Sequence, residues 1–174
     1  LYAEDLQNIA AEITAIEEHF QHTGHYYDTN VPVREFFTGD INLGTGGVCR
    51  VDMLVQGLFI YLRIEITIGT SPSLGTLPFA ILTSDLPYAL PTYTAGKPMV
   101  GAFGGVTESS NNFQMFAPVV NNVTGYGQCI LFFKQGGATF TDYLLGKTSL
   151  PTLGAGDTYF GAMIVPAINI MGVS

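Results

Sequence analysis

Residues 58–68 are Leu58-Phe-Ile-Tyr-Leu-Arg-Ile-Glu-Ile-Thr-Ile68, and their alternation decides the fold. Every second side chain from Leu58 to Ile68 is aliphatic, whereas the positions between them hold aromatic, charged and hydroxyl side chains. Successive side chains of a β-strand point to opposite faces of the sheet. The sequence therefore predicts a strand whose aliphatic face lies in a core and whose other face is amphipathic.

An apolar run at residues 48–55 precedes this strand, and the two together predict a β-hairpin. Gln56-Gly57, between them, is typical of a tight turn. We expect Arg63 and Glu65, on the amphipathic face, to meet charged residues across the hairpin. Those candidate partners are Arg50 and Asp52.

The amphipathic face of this hairpin has two interpretations. If it lines a subunit interface, its ion pairs fix the register of the contact, whereas ion pairs that face water contribute little. We favour the interface because the aromatic residues Phe59 and Tyr61 lie on the same face.

The rest of the chain from Ile41 onward has the pattern of an all-β domain. Short apolar runs alternate with clusters of Gly, Pro, Asn and Thr, which is typical of an antiparallel sandwich or barrel. Residues 141–145 fit either a strand or a helical turn. We predict a mainly β fold, an antiparallel β-sandwich of jelly-roll type. Its further strands are 79–82, 99–106, 113–120, 128–134 and 159–165.

The first twenty residues have the different pattern of an amphipathic helix. Apolar residues recur at spacings of four and three, which defines a coiled-coil seam on an otherwise polar helix. A lone helix of this length is marginal in water, and β-branched residues at the d positions Ile9 and Ile16 favour trimers. We therefore predict a homotrimer. Its interface residues are Tyr2, Leu6, Ile9, Ile13, Ile16 and Phe20.

These patterns divide the chain into three parts. We predict an N-terminal coiled-coil helix at residues 1–24 and a β-sandwich head at residues 41–174. Residues 25–40 have no period and fit either a connector or a first irregular strand. At 174 residues, the chain has room for one sizeable core besides the helix.

The composition excludes several classes of protein. A net charge of −8 and only six Lys and Arg residues argue against binding to nucleic acid. No apolar run is long enough to cross a membrane, and no signal peptide is apparent. Because the sequence begins at Leu1 without Met, we interpret the chain as processed or as a fragment. With 11% charged residues, we expect much of the surface to be uncharged or covered by other subunits.

Titratable residues offer little catalytic or metal-binding chemistry. His19 and His22 share one flank of the helix and, with His25, could hold a metal, but a solvated helix end is the better interpretation. Cys49 and Cys129 lie in apolar runs and are predicted to be buried free thiols. We predict no metal and no cofactor.

Catalytic motifs are absent from the sequence. There is no Gly-x-Ser-x-Gly elbow, and 44–47, Gly-Thr-Gly-Gly, is predicted to be a turn because no Lys-Ser/Thr pair follows it. The carboxylate pairs Asp142 with Asp157 and Glu65 with Asp52 would support glycoside hydrolysis only if the fold placed them together. We predict that the chain is not an enzyme.

Two stretches resemble a known family of viral proteins. The helix Tyr-Ala-Glu-Asp-Leu-Gln-Asn-Ile-Ala-Ala-Glu-Ile at 2–13 resembles the helix that introduces the distal parts of fibre and minor tail proteins of tailed phages. The segment with Gly44-Thr-Gly-Gly, the hairpin 48–68, Ile68-Gly69-Thr70 and Phe79 to Leu86-Pro87 is similar to the terminal β-sandwich of such fibres. The resemblance implies a trimeric virion protein that binds a host surface or decorates the particle. No site residues are carried over, because members of the family differ in their loops.

The resulting hypothesis is a structural virion protein, the trimeric head of a tail fibre, with other virion proteins and a host-surface glycan or protein as partners. The alternatives are a capsid decoration or head-fibre protein, a glycan depolymerase, and a cellular trimeric lectin of jelly-roll type. Exposed loops that combine aromatic rings with amides are the expected binding sites. The candidate receptor-binding residues are Tyr88, Tyr93, Asn111 and Asn112.

Overall fold

The computed structural model describes residues 2–21, 24–93, 99–100, 103–107, 113–134 and 153–167. These residues form a mainly β fold with an N-terminal helix, as predicted. In chain order the elements are α1 (Ala3–Gln21), β1 (Gly24–Asp28), β2 (Arg34–Glu35), β3 (Val48–Gln56), β4 (Phe59–Thr67), β5 (Phe79–Leu82), a 3-10 turn (Thr83–Asp85), β6 (Met99–Val100), β7 (Phe103–Thr107), β8 (Phe113–Gln114), β9 (Phe116–Val123), β10 (Gly127–Lys134) and β11 (Thr158–Pro166).

Helix α1 begins at a capping interaction. The backbone N–H of Tyr2 donates to the Asp5 carboxylate at 3.0 Å, and the N–H of Asp5 donates to the Tyr2 carbonyl at 3.0 Å. The acidic first turn also lies at the positive end of the helix dipole. The helix ends at Gln21, before the predicted stop at Gly24, which begins β1 instead. Every side chain in residues 2–14 is exposed.

Strands β3 and β4 form the predicted hairpin. They are paired from Val48 opposite Thr67 to Gln56 opposite Phe59. Gly57, at φ 57°, takes the first position of the two-residue loop, where a positive φ is required. The loop is therefore Gly57-Leu58, and the prediction that Leu58 lies in the core is wrong because this residue is exposed in the loop. The other aliphatic positions are buried as predicted: Ile60, Leu62, Ile64, Ile66 and Ile68.

The strands are arranged in two antiparallel sheets. One has six strands in the order β1-β3-β4-β11-β7-β8, and the other has five in the order β2-β5-β10-β9-β6. Four of the pairs are nested along the chain: β4 with β11, β5 with β10, β6 with β9 and β7 with β8. Nested pairing of this kind results when one long hairpin of chain folds over on itself.

The inner faces of both sheets contribute to one hydrophobic core. The ring of Phe132, from the five-stranded sheet, lies 4.4 Å from that of Tyr159 in the six-stranded sheet, measured between centroids. Two sheets that share one core are consistent with the predicted β-sandwich. Other core residues are Val51, Ile64 and Met163 from the first sheet and Ile81, Phe116 and Ile130 from the second.

Residues 25–40 belong to the β body. Strand β1 pairs with β3 at one edge of the six-stranded sheet, and β2 pairs with β5 at one edge of the five-stranded sheet. Val31 and Val33, between these strands, are buried. Of the two interpretations of this segment, the structure has the first irregular strand, so the β body already begins at Gly24.

The remaining predicted strands are present with small shifts. Residues 79–82 form β5, whereas β10 and β11 extend slightly beyond the predicted 128–134 and 159–165. The run 99–106 is divided into β6 and β7, and 113–120 is divided into β8 and β9. The undecided stretch 141–145 lies outside the described residues.

The cysteines and the glycine-rich turn are as predicted. Cys49 and Cys129 are both free and buried, and burial raises the pKa of each thiol to about 12. Gly44 begins a turn with φ 88°, and a Cβ there would lie 2.5 Å from the Thr70 carbonyl oxygen. Only glycine fits this position. Within the described ranges, no helix combines the length and apolar character that a membrane crossing requires.

Candidate functional site: the outer face of the six-stranded sheet

Strands β3, β4 and β11 lie side by side and present alternate side chains away from the core. We call this surface the outer face. Its composition changes along the strands, from apolar near the Gly57 loop to charged further along. Its residues are Arg50, Asp52, Leu54 and Gln56 from β3, Phe59, Tyr61, Arg63 and Glu65 from β4, and Phe160, Ala162 and Ile164 from β11.

The apolar half of the outer face is formed by Leu54, Phe59, Tyr61 and Ile164, and the exposed loop residue Leu58 extends it at the hairpin end. The strand register places Tyr61 opposite Leu54 on one side and opposite Ile164 on the other. All five side chains are more than two-fifths exposed. A groove of about 660 Å³ runs beside them, and its walls are mostly aliphatic and aromatic. The groove is lined by His25, Asp52, Leu54, Tyr61, Leu62, Arg63, Ala162, Met163 and Ile164.

The charged half contains one of the two cross-strand ion pairs that the sequence predicts, Arg50 with Glu65. Arg50 Nη1 donates to Glu65 Oε1 at 2.7 Å, and Arg63 Nη2 lies 3.7 Å from Glu65 Oε2. Asp52 is opposite Arg63 in the register, but its carboxylate contacts the His25 ring. These side chains are partly exposed, so each pair contributes little to stability and mainly fixes the geometry of the surface.

Helix α1 joins the sheet at the apolar half. Gly24, the first residue of β1, is opposite Val55, next to Leu54. At the same end of the sheet, the backbone N–H of Ala167 donates to the Leu58 carbonyl at 2.7 Å. Only two residues separate the end of α1 at Gln21 from Gly24, so the helix is joined along the chain to the end of the sheet that carries the apolar half.

The predicted interface residues of the helix are exposed wherever their side chains are described. Tyr2 is 84% exposed, Leu6 55%, Ile9 45% and Ile13 50%. The side chains of Ile16 and Phe20 lie outside the described part of the chain. Residues with this apolar spacing would be covered in a coiled coil, and in the single chain they are not.

Of the predicted receptor-binding residues, Tyr88 and Tyr93 lie in the described part of the chain, and Tyr93 is buried. Tyr93 is only 5% exposed, its hydroxyl donates to the Pro166 carbonyl at 2.9 Å, and burial raises its pKa to about 12. We therefore remove Tyr93 from the candidate binding residues. Tyr88 is partly buried, with its ring centroid 4.8 Å from that of Tyr26. Asn111 and Asn112 lie outside the described residues.

The histidines form no metal site in the described part of the chain. His25 contacts Asp52, whereas the side chains of His19 and His22 lie outside the described residues. Among the groups that are described, no three His, Cys, Asp or Glu side chains are arranged to hold a metal ion.

Two residues of the apolar half escaped the sequence analysis. Leu54 lies between the buried residues Met53 and Val55, and Ile164 lies between Met163 and Val165. Each is an aliphatic residue on the outward-facing side of an alternating strand. An aliphatic residue at such a position, where a polar residue is expected, is the sequence signal that identifies both of them.

The chain was also compared with known proteins at three levels. No family model, no curated protein and no solved structure matches it.

Proposed function

We propose that this chain is a homotrimeric attachment protein that assembles through α1 and the apolar half of the outer face. The observation that carries the proposal is the exposed seam of α1, where Leu6, Ile9 and Ile13 lie uncovered on a regular helix. A seam of this kind is stable in water only when other helices cover it. The β-branched d positions favour three helices over two.

The apolar half of the outer face supports the same assembly. Exposed apolar patches of this kind mark interaction surfaces, and this one adjoins the helix. A threefold axis along α1 would bring three copies of the apolar half towards one another. The nested strand pairs support a jelly-roll arrangement for the head, and the helical seam supports a coiled coil for the stalk.

The resemblance to fibre and minor tail proteins supports a place on the virion of a tailed phage. In that setting the helix anchors the chain to other virion proteins, and the β head binds a glycan or protein of the host surface. The alternative is a capsid decoration or head-fibre protein, in which the helix anchors on the shell and the head projects from it. Immunogold labelling of intact particles separates the two, because a fibre head is labelled on the tail and a decoration protein on the shell.

Size-exclusion chromatography with light scattering tests the assembly. The chain mass is 18.7 kDa, so a trimer has three times that mass, about 56 kDa. A monodisperse monomer at micromolar concentration contradicts the proposal, and a dimer contradicts the heptad assignment.

Thiol labelling tests the contribution of the outer face. In Ile164→Cys, a maleimide should react slowly with the intact trimer, because the apolar half is covered. Arg63→Cys, on the charged half of the same face, should react quickly and serves as the matched control. Equal rates would show that the outer face stays open in the trimer.

One observation favours a second candidate, a glycan depolymerase. Asp52 and Glu65 line one small groove of about 160 Å³ together with Tyr27, Arg50 and Arg63. Two carboxylates in a cleft are the usual apparatus of glycoside hydrolysis. Against this, Glu65 Oε1 already accepts a hydrogen bond from Arg50 Nη1 at 2.7 Å, so this carboxylate is engaged in an ion pair. Release of reducing ends from host polysaccharide, abolished in Asp52→Asn and in Glu65→Gln, would favour the depolymerase. A cellular lectin remains the third alternative.

A further inference from the structure

Three aromatic rings form a cluster on the five-stranded sheet, away from the helix and the outer face. Phe36 and Phe37 follow β2, and Tyr126 lies in the turn between β9 and β10. The ring centroids are 4.2 Å apart for Phe36 and Phe37, 4.8 Å for Phe36 and Tyr126, and 5.1 Å for Phe37 and Tyr126. We call these three residues the aromatic platform. Mutual tilted and edge contacts hold each ring in a fixed orientation.

Phe37 combines strain with exposure. Its φ is 65°, in the left-handed region that glycine or asparagine adopts readily and a bulky residue does not. Yet its side chain is 57% exposed, so core packing does not explain the choice of phenylalanine. Backbone strain of this kind is concentrated at functional sites, where the surrounding structure enforces it.

The surrounding structure does enforce the turn that carries Phe37. Glu35 N–H donates to the Gly39 carbonyl at 2.9 Å, and Phe36 N–H donates to the Pro78 carbonyl at 2.8 Å. The Glu35 carboxylate also accepts hydrogen bonds of 2.6 and 2.7 Å from the N–H groups of Thr76 and Leu77. The turn is therefore tied to the neighbouring segment on both sides of the exposed ring.

Three charged residues, Arg34, Asp40 and Asp85, lie close enough to Tyr126 to interact with it electrostatically. Arg34 pairs with Asp40 at 2.7 Å and with Asp85 at 2.9 Å, and the Asp40 side chain is 63% exposed. The Tyr126 hydroxyl is buried and has no hydrogen-bond partner among the described groups. The single guanidinium is outnumbered by the two carboxylates that bind it, so the rim of the platform is acidic.

We propose that the aromatic platform is a binding site for an uncharged hexopyranose unit of a surface glycan. One face of such a sugar presents C–H groups that pack on an aromatic ring, while its hydroxyls donate to carboxylates at the edge. Only one ring of the platform is widely exposed, which suits a sugar ring and is too small for a protein partner. The acidic rim disfavours uronic and sialic acids. The inference rests on the proposed attachment role and names its ligand.

The test is a glycan array probed with the labelled full-length protein, followed by titration with the best neutral oligosaccharide. The decisive variant is Phe37→Gly, which removes the ring and relieves the positive φ. If the ring serves binding, affinity should fall at least about tenfold while the melting temperature stays equal or rises. Met115→Ala is the control, because Met115 is a large apolar residue that is 43% exposed between β8 and β9, outside the platform and the outer face, and it should bind as the wild type does.

Several outcomes would overturn the proposal. The wild-type protein could bind no neutral glycan, or Phe37→Gly could bind as well as the wild type does. A melting temperature of Phe37→Gly that falls together with its affinity would assign the ring a packing role. Loss of host-cell adsorption by Phe37→Gly without any glycan binding would point to a protein receptor instead. A trimer that adsorbs to cells but binds no glycan would leave the attachment role intact, whereas a monomer that binds glycan would remove the assembly and keep the platform.

Discussion

Placing charge on the seam of α1 should dissociate the proposed trimer. The perturbation is the double variant Ile9→Asp with Ile13→Asp. In the single chain these side chains are 45% and 50% exposed, so about half of each remains to be buried on assembly. Complete burial of an isoleucine is worth about 1.5–3 kcal/mol, so the half still exposed contributes about 1 kcal/mol.

The effect is multiplied by the symmetry of the assembly. Two positions in three chains give six side chains, and their loss removes about 6 kcal/mol of hydrophobic stabilisation per trimer. Each 1.4 kcal/mol changes an equilibrium constant tenfold, so the association constant should fall by about four orders of magnitude. Clustering six carboxylates near the axis adds further repulsion.

The assay is light scattering across a dilution series from micromolar to nanomolar protein. The matched control is Gln7→Asp with Ala11→Asp, which adds the same charge to exposed positions off the seam and costs only a few tenths of a kcal/mol per residue in helix propensity. The control should remain trimeric where the seam variant is monomeric. Equal behaviour of the two variants would refute the heptad assignment, and a trimeric seam variant would refute any role of α1 in assembly.

Three further predictions concern the β body. Ile64→Ala should destabilise the fold by about 2–5 kcal/mol in urea unfolding, because Ile64 is fully buried on a central strand, and Thr67→Ala, on the opposite face, should cost much less; equal losses would mean that both faces are buried. With pKa values of about 12, only about one in 10⁴ of the Cys49 and Cys129 thiols is ionised at pH 8, so a disulfide reagent should label both only on unfolding, and rapid labelling of the native protein would contradict their burial. The N–H groups of Leu77 and Thr76 lower the pKa of Glu35 from its ordinary 4.5. The ionised Glu35 carboxylate therefore stabilises the fold above pH 4.5, and this stabilisation is lost as the pH falls through the lowered pKa. Glu35→Gln should reduce the fall in melting temperature on the acid side, and a pH profile identical to that of the wild type would contradict this prediction.

The fold could be predicted from the sequence where local alternation is strong. The hairpin of β3 and β4 and the cross-strand contact of Arg50 with Glu65 follow from side-chain periodicity alone. The position of the loop was missed by one residue, because Gln56-Gly57 and Gly57-Leu58 both place a glycine in a tight turn. Only the pairing register shows that Gly57 takes the first position of the loop.

The candidate sites were less predictable, because they depend on which segments the fold brings together. The burial of Tyr93 could not be predicted, because its hydroxyl donates to the carbonyl of Pro166, which lies far away in the sequence. The aromatic platform likewise brings together Phe37 and Tyr126, which lie far apart in the sequence. Tyr126 lies in the turn between β9 and β10, and side-chain periodicity along the sequence does not show which rings it contacts.

The division of the outer face into two halves bears on how three copies would meet. An interface that covered the whole face would have to desolvate Arg50, Arg63, Asp52 and Glu65, and buried ion pairs rarely recover that cost. An interface confined to the apolar half, next to α1, covers Leu54, Tyr61 and Ile164 and leaves the charged half in water. The head subunits would then be joined at the helix end and diverge beyond it. The aromatic platform, on the other sheet, would remain open to solvent in each subunit, as an attachment site requires.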